Sequence, residues 1–176
     1  APNRPRTRAE IAPEFKWNLA DIYPDWPAWD RGRAELEALI GEYAGLKNTL
    51  ADGPGRLLAA MTLNDRLGQV AYKVYCFASL TYDEDQRDNE VNGRKQQVQA
   101  LLARWQQATS WFSPELLAIP LDTVQAWMAS HAELAVYRFA IEEVFRQQEH
   151  VLDEKGEALL SLSSRISGAS SEAYQS

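Results

Sequence analysis

Apolar residues recur at alternating steps of three and four along three long stretches of this sequence, and this spacing constrains the fold most. Because an α-helix has 3.6 residues per turn, side chains spaced in this way lie on one face. The pattern therefore predicts three long helices, the first of them capped by Asp25. The three apolar stripes consist of Trp29, Leu36, Leu39, Tyr43, Leu46 and Leu50; Ala60, Leu63, Leu67, Val70, Val74 and Phe77; and Val91, Val98, Leu101, Trp105, Ala108 and Phe112.

Short polar segments separate these helices. The run 52–55 contains two glycines and a proline, which interrupt a helix, and the acidic segment 83–85 forms the second link. Short connections place consecutive helices antiparallel to each other. No segment shows sustained alternation of strand-favouring residues. The predicted fold class is all-α, an antiparallel bundle of three long helices followed by several shorter helices.

The chain is expected to form one domain with three parts. Residues 1–24 form an extended N-terminal arm, residues 25–112 the long-helix bundle, and residues 113–176 shorter helices packed on the bundle. The end of the arm is expected to be pinned by Trp17, Leu19, Ile22 and Tyr23.

Local signals predict the shorter helices. Ser113 is a candidate N-cap followed by Pro114 at the first helical position, and Leu121–Met128 is a brief helix. The segment 130–133 fits a capping box. It would open a helix whose inner face is Leu134, Tyr137, Ile141 and Val144. A last helix would be capped by Asp153, present Leu159, Leu162 and Ile166 inwards, and stop at Gly168.

The charge of the chain excludes some classes of partner. The 25 acidic residues outnumber the 18 Lys and Arg, which gives a net charge of −7. Such a field repels polyanions, so nucleic acid is not expected as a partner. The only concentration of basic residues, Arg4, Arg6 and Arg8, is interpreted as a frayed terminus in preference to a binding arm. No apolar run approaches the roughly 18 residues of a membrane span, so no membrane partner is expected.

Cys76 is the only cysteine, so no disulfide can form within the chain, and a cytoplasmic protein is expected. Its apolar neighbours predict a core residue and not a reactive thiol.

The residues needed for metal or acid–base chemistry do not occur in a productive pattern. Neither His131 nor His150 is followed by Glu, and neither has a His four residues away, as a zinc peptidase helix requires. The acidic cluster Asp83, Asp85, Asp88 and Glu90 lacks the Gly of a calcium loop and is interpreted as a solvated turn. The sequence therefore predicts no catalytic, cofactor-binding or metal-binding residue in this chain.

The second long helix carries a further stripe, formed by Tyr72, Tyr75, Cys76 and Ser79. A surface helix in a small bundle needs only one apolar face. Two alternatives stay open for the second one. Either the shorter helices after Ser113 cover it, or it awaits a partner.

Several short motifs, in order along the chain, resemble those of oligoendopeptidase F-like zinc metallopeptidases, relatives of thimet oligopeptidase. Residues 17–23 are similar to the W-x-L-x-D-[IL]-Y segment near the start of that family. Residues 77–80 resemble its Y-A-x-L helix end, with Phe77 in place of the usual Tyr. Residues 111–117 are similar to its F-x-P-E-L-L junction. Tyr137, residues 150–152 and residues 157–160 match its Y…H-x-L…E-x-L-L stretch, with Asp153 where Ser is common.

The resemblance implies a function that the residues alone do not. Such enzymes are larger helical proteins that cleave short peptides in a channel, with zinc held by His-Glu-x-x-His and a further Glu. Because the matched region lies before those positions, no catalytic or metal residue is carried over to this chain. The chain would be the non-catalytic N-terminal domain and one wall of the channel, and it would be inactive when isolated. Its partners would be the catalytic domain of the same polypeptide and short peptide substrates, and zinc would belong to the full-length enzyme.

One alternative does not depend on the resemblance. It is a stand-alone helical module without enzymatic activity, which binds either a partner protein or a small ligand between its helices.

Overall fold

The computed structural model describes Arg6, residues 10–148, Leu152, residues 155–156 and residues 158–160. These residues contain no strand, and they form seven named α-helices. The helices are α1 (Trp26–Ala44), α2 (Pro54–Glu84), α3 (Asn89–Thr109), α4 (Phe112–Leu117), α5 (Leu121–Ser130), α6 (Ala132–Ala135) and α7 (Arg138–Arg146). The predicted all-α class, with three long helices followed by shorter ones, is confirmed.

The chain divides into two compact units, each made of two segments. Unit 1 consists of Ala1–Glu37 and Gly68–Leu101, and unit 2 of Ala38–Leu67 and Leu102–Ser176. Each of the three long helices contributes residues to both units. The predicted division at residues 24 and 112 stays a prediction.

Unit 1 is built around Trp29, which is completely buried. Its indole Nε1 donates a 2.9 Å hydrogen bond to the carbonyl oxygen of Val74, so the polar atom is satisfied inside the core. Trp26 lies edge-on to Phe77, with ring centroids 4.9 Å apart. Since residue 26 meets residue 77 while residue 29 meets residue 74, α1 and α2 are antiparallel here. Burial of each such large apolar side chain contributes about 1.5–3 kcal/mol.

Unit 2 has its own core, in which Tyr43 and Trp111 pack with ring centroids 5.2 Å apart. Burial, together with the nearby carboxylate of Glu115, raises the pKa of Tyr43, so the phenol stays neutral. Further side chains of this core with less than 2% exposure are Leu50, Leu57, Leu67, Leu116, Val124, Met128, Leu134 and Ile141.

The start of α1 confirms one predicted cap. The Asp25 carboxylate accepts a 2.7 Å hydrogen bond from the backbone N–H of Ala28, one of the orphan donors in the first helical turn.

The end of the first helix differs from the prediction. α1 stops at Ala44, and Leu50, placed by its spacing on the same helix, belongs to a 3-10 helix, Leu50–Asp52. The chain turns at Asn48, whose φ of 65° is in the left-handed region that Asn tolerates better than most residues. Gly53 then has φ 134°, a conformation that favours glycine, and α2 begins at Pro54.

The prediction of Ser113 as an N-cap is wrong. α4 already begins at Phe112 with Trp111 at its N-cap position, so Ser113 lies inside the helix, and Phe112 does not belong to α3. The helix start follows the buried Trp111 side chain, which packs on Tyr43, in preference to the local Ser-Pro signal.

The predicted capping box at residues 130–133 is also wrong. Ser130 belongs to α5 and donates its hydroxyl hydrogen to the Ala126 carbonyl oxygen at 2.9 Å, while His131 occupies the N-cap position of α6. The single helix predicted to follow is two helices, separated at Tyr137, whose hydroxyl donates to Asp65 Oδ2 at 2.7 Å. The brief helix predicted for Leu121–Met128 is confirmed as α5.

Several predictions concern the two ends of the chain, which the structure describes only in part. The predicted residues Asp153, Leu162, Ile166 and Gly168 lie outside the described residues, as do Arg4 and Arg8. Leu159 is helical but 68% exposed, so its predicted inward position is wrong. From residue 11 on, the described part of the arm contains two 3-10 turns, Pro13–Phe15 and Leu19–Asp21, where an extended chain was predicted.

Candidate functional site

The two histidines are the first candidates for metal binding or acid–base chemistry. His131 is exposed between α5 and α6, with Nδ1 2.9 Å from the Ser130 hydroxyl oxygen. His150 lies outside the described residues. Within the part of the chain that the structure describes, no three His, Cys, Asp or Glu side chains are grouped so that they could hold a metal ion. The prediction that this chain has no catalytic or metal-binding residue stays a prediction.

The acidic cluster between α2 and α3 caps a helix and pairs with an arginine. Asp88 Oδ1 accepts hydrogen bonds from the N–H groups of Glu90 and Val91 at 2.9 and 3.1 Å, at the start of α3. Asp85 binds Arg87 through two hydrogen bonds of 2.8 Å. The Arg87 guanidinium lowers the pKa of Asp85 to about 2. Asp85 and Asp88 thus stabilise the turn between α2 and α3.

The N-terminal motif forms a local turn and one anchoring contact. Asn18 Nδ2 donates to Asp21 Oδ1 at 2.8 Å across the 3-10 turn. Tyr23 then packs edge-on against Phe77, with ring centroids 5.7 Å apart. Leu19, Ile22 and Tyr23 are half-buried, as predicted for anchors, but Trp17 is 59% exposed. The prediction that Trp17 pins the arm stays a prediction, and the Tyr23–Phe77 contact provides one anchor.

Arg94 is a junction residue of unit 1 that the sequence patterns did not single out. Its guanidinium carbon lies 4.5 Å from the centroid of the Trp26 ring, and Nη1 is 3.2 Å from Asp30 Oδ1. Nη2 is 3.3 Å from Glu90 Oε1. Cation–π and ionic contacts thus tie α3 to α1 beside a cleft of about 340 Å³. Because two carboxylates already pair with the guanidinium, the cleft offers no free positive charge to an anion.

Glu115 is the corresponding junction residue of unit 2. Its Oε2 accepts a 2.7 Å hydrogen bond from the Asn48 N–H, and its Oε1 a 2.8 Å hydrogen bond from the Leu50 N–H. A carboxylate that receives two backbone donors is held by strong, charge-assisted bonds. Glu115 therefore fixes the turn that separates α1 from α2, and its two hydrogen bonds to this turn are hereafter the Glu115 clamp. It lies in the segment 111–117 that carries one of the family-like motifs.

An open groove runs along the first half of α2. Its volume is about 390 Å³, and the residues that line it are Gly55, Leu58, Ala59, Thr62, Leu63 and Arg66. Hydrogen bonding to Asp65 raises the pKa of Tyr137 close to this groove, a shift that a hydrogen bond with Thr62 opposes. The groove is shallow and its lining residues belong to one helix, so the structure does not assign it a ligand.

The second half of α2 has an uncovered face, hereafter the tyrosine face, defined by Tyr72, Tyr75, Cys76 and Ser79. Tyr72 is 71% exposed and Tyr75 is 40% exposed. The prediction of a buried Cys76 is wrong, since this residue is only half-buried. Its side chain forms a hydrogen bond with Tyr72, which raises the pKa of that tyrosine. The two sequence-based alternatives for this face stay predictions.

The length and apolar character of the helices bear on membrane insertion. Within the described ranges, no helix combines the length and the apolar character that a membrane crossing requires.

Comparisons with known proteins place these features in a family context. Residues 115–176 match the family model described as Oligopeptidase F. The chain is 32% identical over 167 residues to Oligopeptidase PepF of Bacillus subtilis, covering 95% of this chain and 25% of that protein. It is 27% identical over 168 residues to Group B oligopeptidase PepB of Streptococcus agalactiae, covering 96% of this chain and 28% of that protein.

The fold agrees with the sequence comparison. The crystal structure of oligoendopeptidase-F from Enterococcus faecium superimposes with a TM-score of 0.76 and 26% identity, over 85% of this chain and 30% of that one. This chain thus spans between a quarter and a third of the length of these relatives.

Proposed function

Since this chain is an N-terminal domain of the oligoendopeptidase F-like kind, we propose that it is the non-catalytic part of a zinc-dependent oligopeptidase that hydrolyses short peptides. The observation that carries the proposal is the extent of the likeness, which covers 95% of the chain in sequence and 85% in fold. The names of the relatives supply the peptidase activity. Their greater length supplies a place for catalysis outside this chain.

The zinc ion of the proposed enzyme does not fit the described residues of this chain, because they offer no group of three suitable side chains. We therefore assign the metal ligands and the general base to the remaining polypeptide, and no step of hydrolysis to residues of this chain.

The role proposed for this chain is architectural. A rigid helical wall would restrict the substrate channel of the enzyme to short, unfolded peptides. The core around Trp29 and the Glu115 clamp support this role, because both hold helices in fixed positions. We propose a cytoplasmic location on the basis of the single, unpaired cysteine.

The experiment that tests the proposal uses the natural polypeptide that carries this sequence. Purified protein is incubated with a short, internally quenched peptide, with and without a zinc chelator. We expect hydrolysis that the chelator abolishes and added zinc restores. Absence of hydrolysis, or hydrolysis that is insensitive to the chelator, would contradict the proposal.

The second candidate function is a stand-alone interaction or small-ligand-binding bundle. The groove along α2 and the open tyrosine face are the observations that favour it. A natural polypeptide that fails to hydrolyse peptides but binds a protein through either surface would support this alternative.

A further inference from the structure

The tyrosine face is not needed to complete the core of unit 1. The buried side chains of α2 in this unit, Ala71, Val74, Phe77 and Ala78, lie on the other side of the helix. Val74 and Phe77 already meet Trp29 and Trp26 of α1. The described part of the chain therefore buries one face of α2 and leaves Tyr72 and Tyr75 in solvent.

The chemistry of this face is that of a protein contact. None of its four defining residues is charged, and tyrosine is enriched in the centres of protein interfaces while Lys, Glu and Asp are depleted. Two tyrosine rings offer a large apolar area, and their hydroxyl groups can form hydrogen bonds at the edge of a contact.

Ser79 lies one helical turn from both Tyr75 and Cys76, on the same face. Its hydroxyl oxygen is already buried by this chain, so it marks the inner edge of the tyrosine face, and the exposed surface is that of the two tyrosine rings.

We propose that the tyrosine face is the seat on which the remaining part of the longer polypeptide packs. This inference rests on the proposed function. The argument for this occupant is the length of the relatives, of which this chain covers only 25–30%. A contiguous exposed aromatic surface of this kind marks a protein contact, and a partner in the same molecule is always available to cover it.

Hydroxyl-radical footprinting of the natural polypeptide tests the proposal. The oxidation rates of Tyr72 and Tyr75 are measured by mass spectrometry and divided by their rates in the urea-unfolded protein. Tyr43, which is 2% exposed in this chain, gives the reference for a buried tyrosine. We expect the normalised rates of Tyr72 and Tyr75 to fall to the level of Tyr43. Rates typical of exposed tyrosines would overturn the proposal.

Two further outcomes would also overturn it. Protection that disappears on dilution would identify a second copy of the chain as the occupant. Protection that appears only after addition of an uncharged, end-blocked peptide of Gly, Ala and Leu would identify the substrate as the occupant.

A pair of substitutions in the natural polypeptide gives an independent readout. Tyr72→Ser combined with Tyr75→Ser is expected to lower the thermal midpoint, because the buried contact is lost. Lys73→Ser is the matched control, an exposed neighbour on the same helix but outside the tyrosine face, and should leave the midpoint unchanged. Equal midpoints for all three proteins would contradict the proposal. The peptide hydrolysis assay is separate from both measurements, so failure of the proposed function and failure of this contact are distinguishable.

Discussion

At the scale of single residues, the position of the Tyr23 ring depends on the absence of a side chain at Gly32. A Cβ atom added to Gly32 would lie 2.2 Å from the Tyr23 hydroxyl oxygen and 2.6 Å from Cζ of the same ring. Real Cβ atoms do not approach other atoms so closely, so the ring would have to leave its place against Phe77. The missing side chain of Gly32 is therefore what lets the N-terminal motif dock on α1.

The substitution Gly32→Ala tests this dependence. We expect a loss of about 1–3 kcal/mol in the free energy of unfolding, the usual cost of overpacking. Gly41→Ala is the matched control in the same helix, because nothing lies within 4 Å of its added Cβ. It should be neutral or stabilise the protein by up to about 1 kcal/mol. Urea denaturation followed by circular dichroism measures both values, and equal effects of the two substitutions would contradict the packing argument.

A second residue-scale prediction concerns the titration of Asp85. Its folded pKa of about 2 lies below its ordinary value of 3.8 because of Arg87. The ion pair therefore stabilises the folded protein at pH values above the ordinary pKa of 3.8, and this stabilisation is lost as the pH falls towards 2. Carbon-detected NMR of the carboxyl group should show the low pKa, and Arg87→Ala should return it towards 3.8. If the titration midpoint of the Asp85 carboxyl group is the same in Arg87→Ala, Arg87 is not the cause of the low pKa.

At the scale of secondary structure elements, the apolar periodicity of the sequence predicts which residues of a long helix are buried. Trp29, Leu36 and Val74 were placed correctly, because an apolar stripe records the burial of a regular helix. Helix ends were predicted less well. The end of α1 depends on Glu115, 65 residues after Leu50, and no local pattern contains that contact. Arg94 was missed for the same reason, since its partner Asp30 lies 64 residues away.

The capping signals at Ser113 and Ser130 failed because tertiary contacts override local preference. The position of α4 follows Trp111 and Glu115, which are held by unit 2, and Ser130 forms its hydrogen bond within α5. Of the candidate sites, the tyrosine face was identified from its spacing, while its exposure could be learned only from the packing of the other helices.

The substitution Glu115→Ala tests the role of the clamp on the turn after α1. Loss of two hydrogen bonds to a carboxylate should lower the free energy of unfolding by about 2 kcal/mol or more. Glu115→Gln keeps one acceptor oxygen and should have a smaller effect. Glu133→Ala removes an exposed carboxylate in α6 and serves as the control, which should be close to neutral. An effect of Glu115→Ala no greater than that of the control would rule out a stabilising clamp.

At the scale of the whole molecule, the chain on its own presents the tyrosine face to solvent. We expect the isolated chain to bind a hydrophobic dye and to self-associate with rising concentration, because exposed aromatic pairs favour contact between copies. Tyr72→Ser combined with Tyr75→Ser should abolish the concentration dependence measured by light scattering. A parent chain that stays monomeric at high concentration and binds no dye would refute this expectation.

The clamp formed by Glu115 also has a consequence for the order in which the protein takes shape on the ribosome. The Leu50 N–H leaves the ribosome 65 residues ahead of its acceptor, and bacterial or eukaryotic elongation at roughly 5–20 residues per second separates the two by about 3–13 s. Both segments of unit 1 are synthesised by residue 101, whereas unit 2 still lacks its second segment at that point. The nascent chain can therefore assemble unit 1 first. The turn at residues 48–50 lacks its hydrogen bonds to the Glu115 carboxylate until Glu115 emerges from the ribosome.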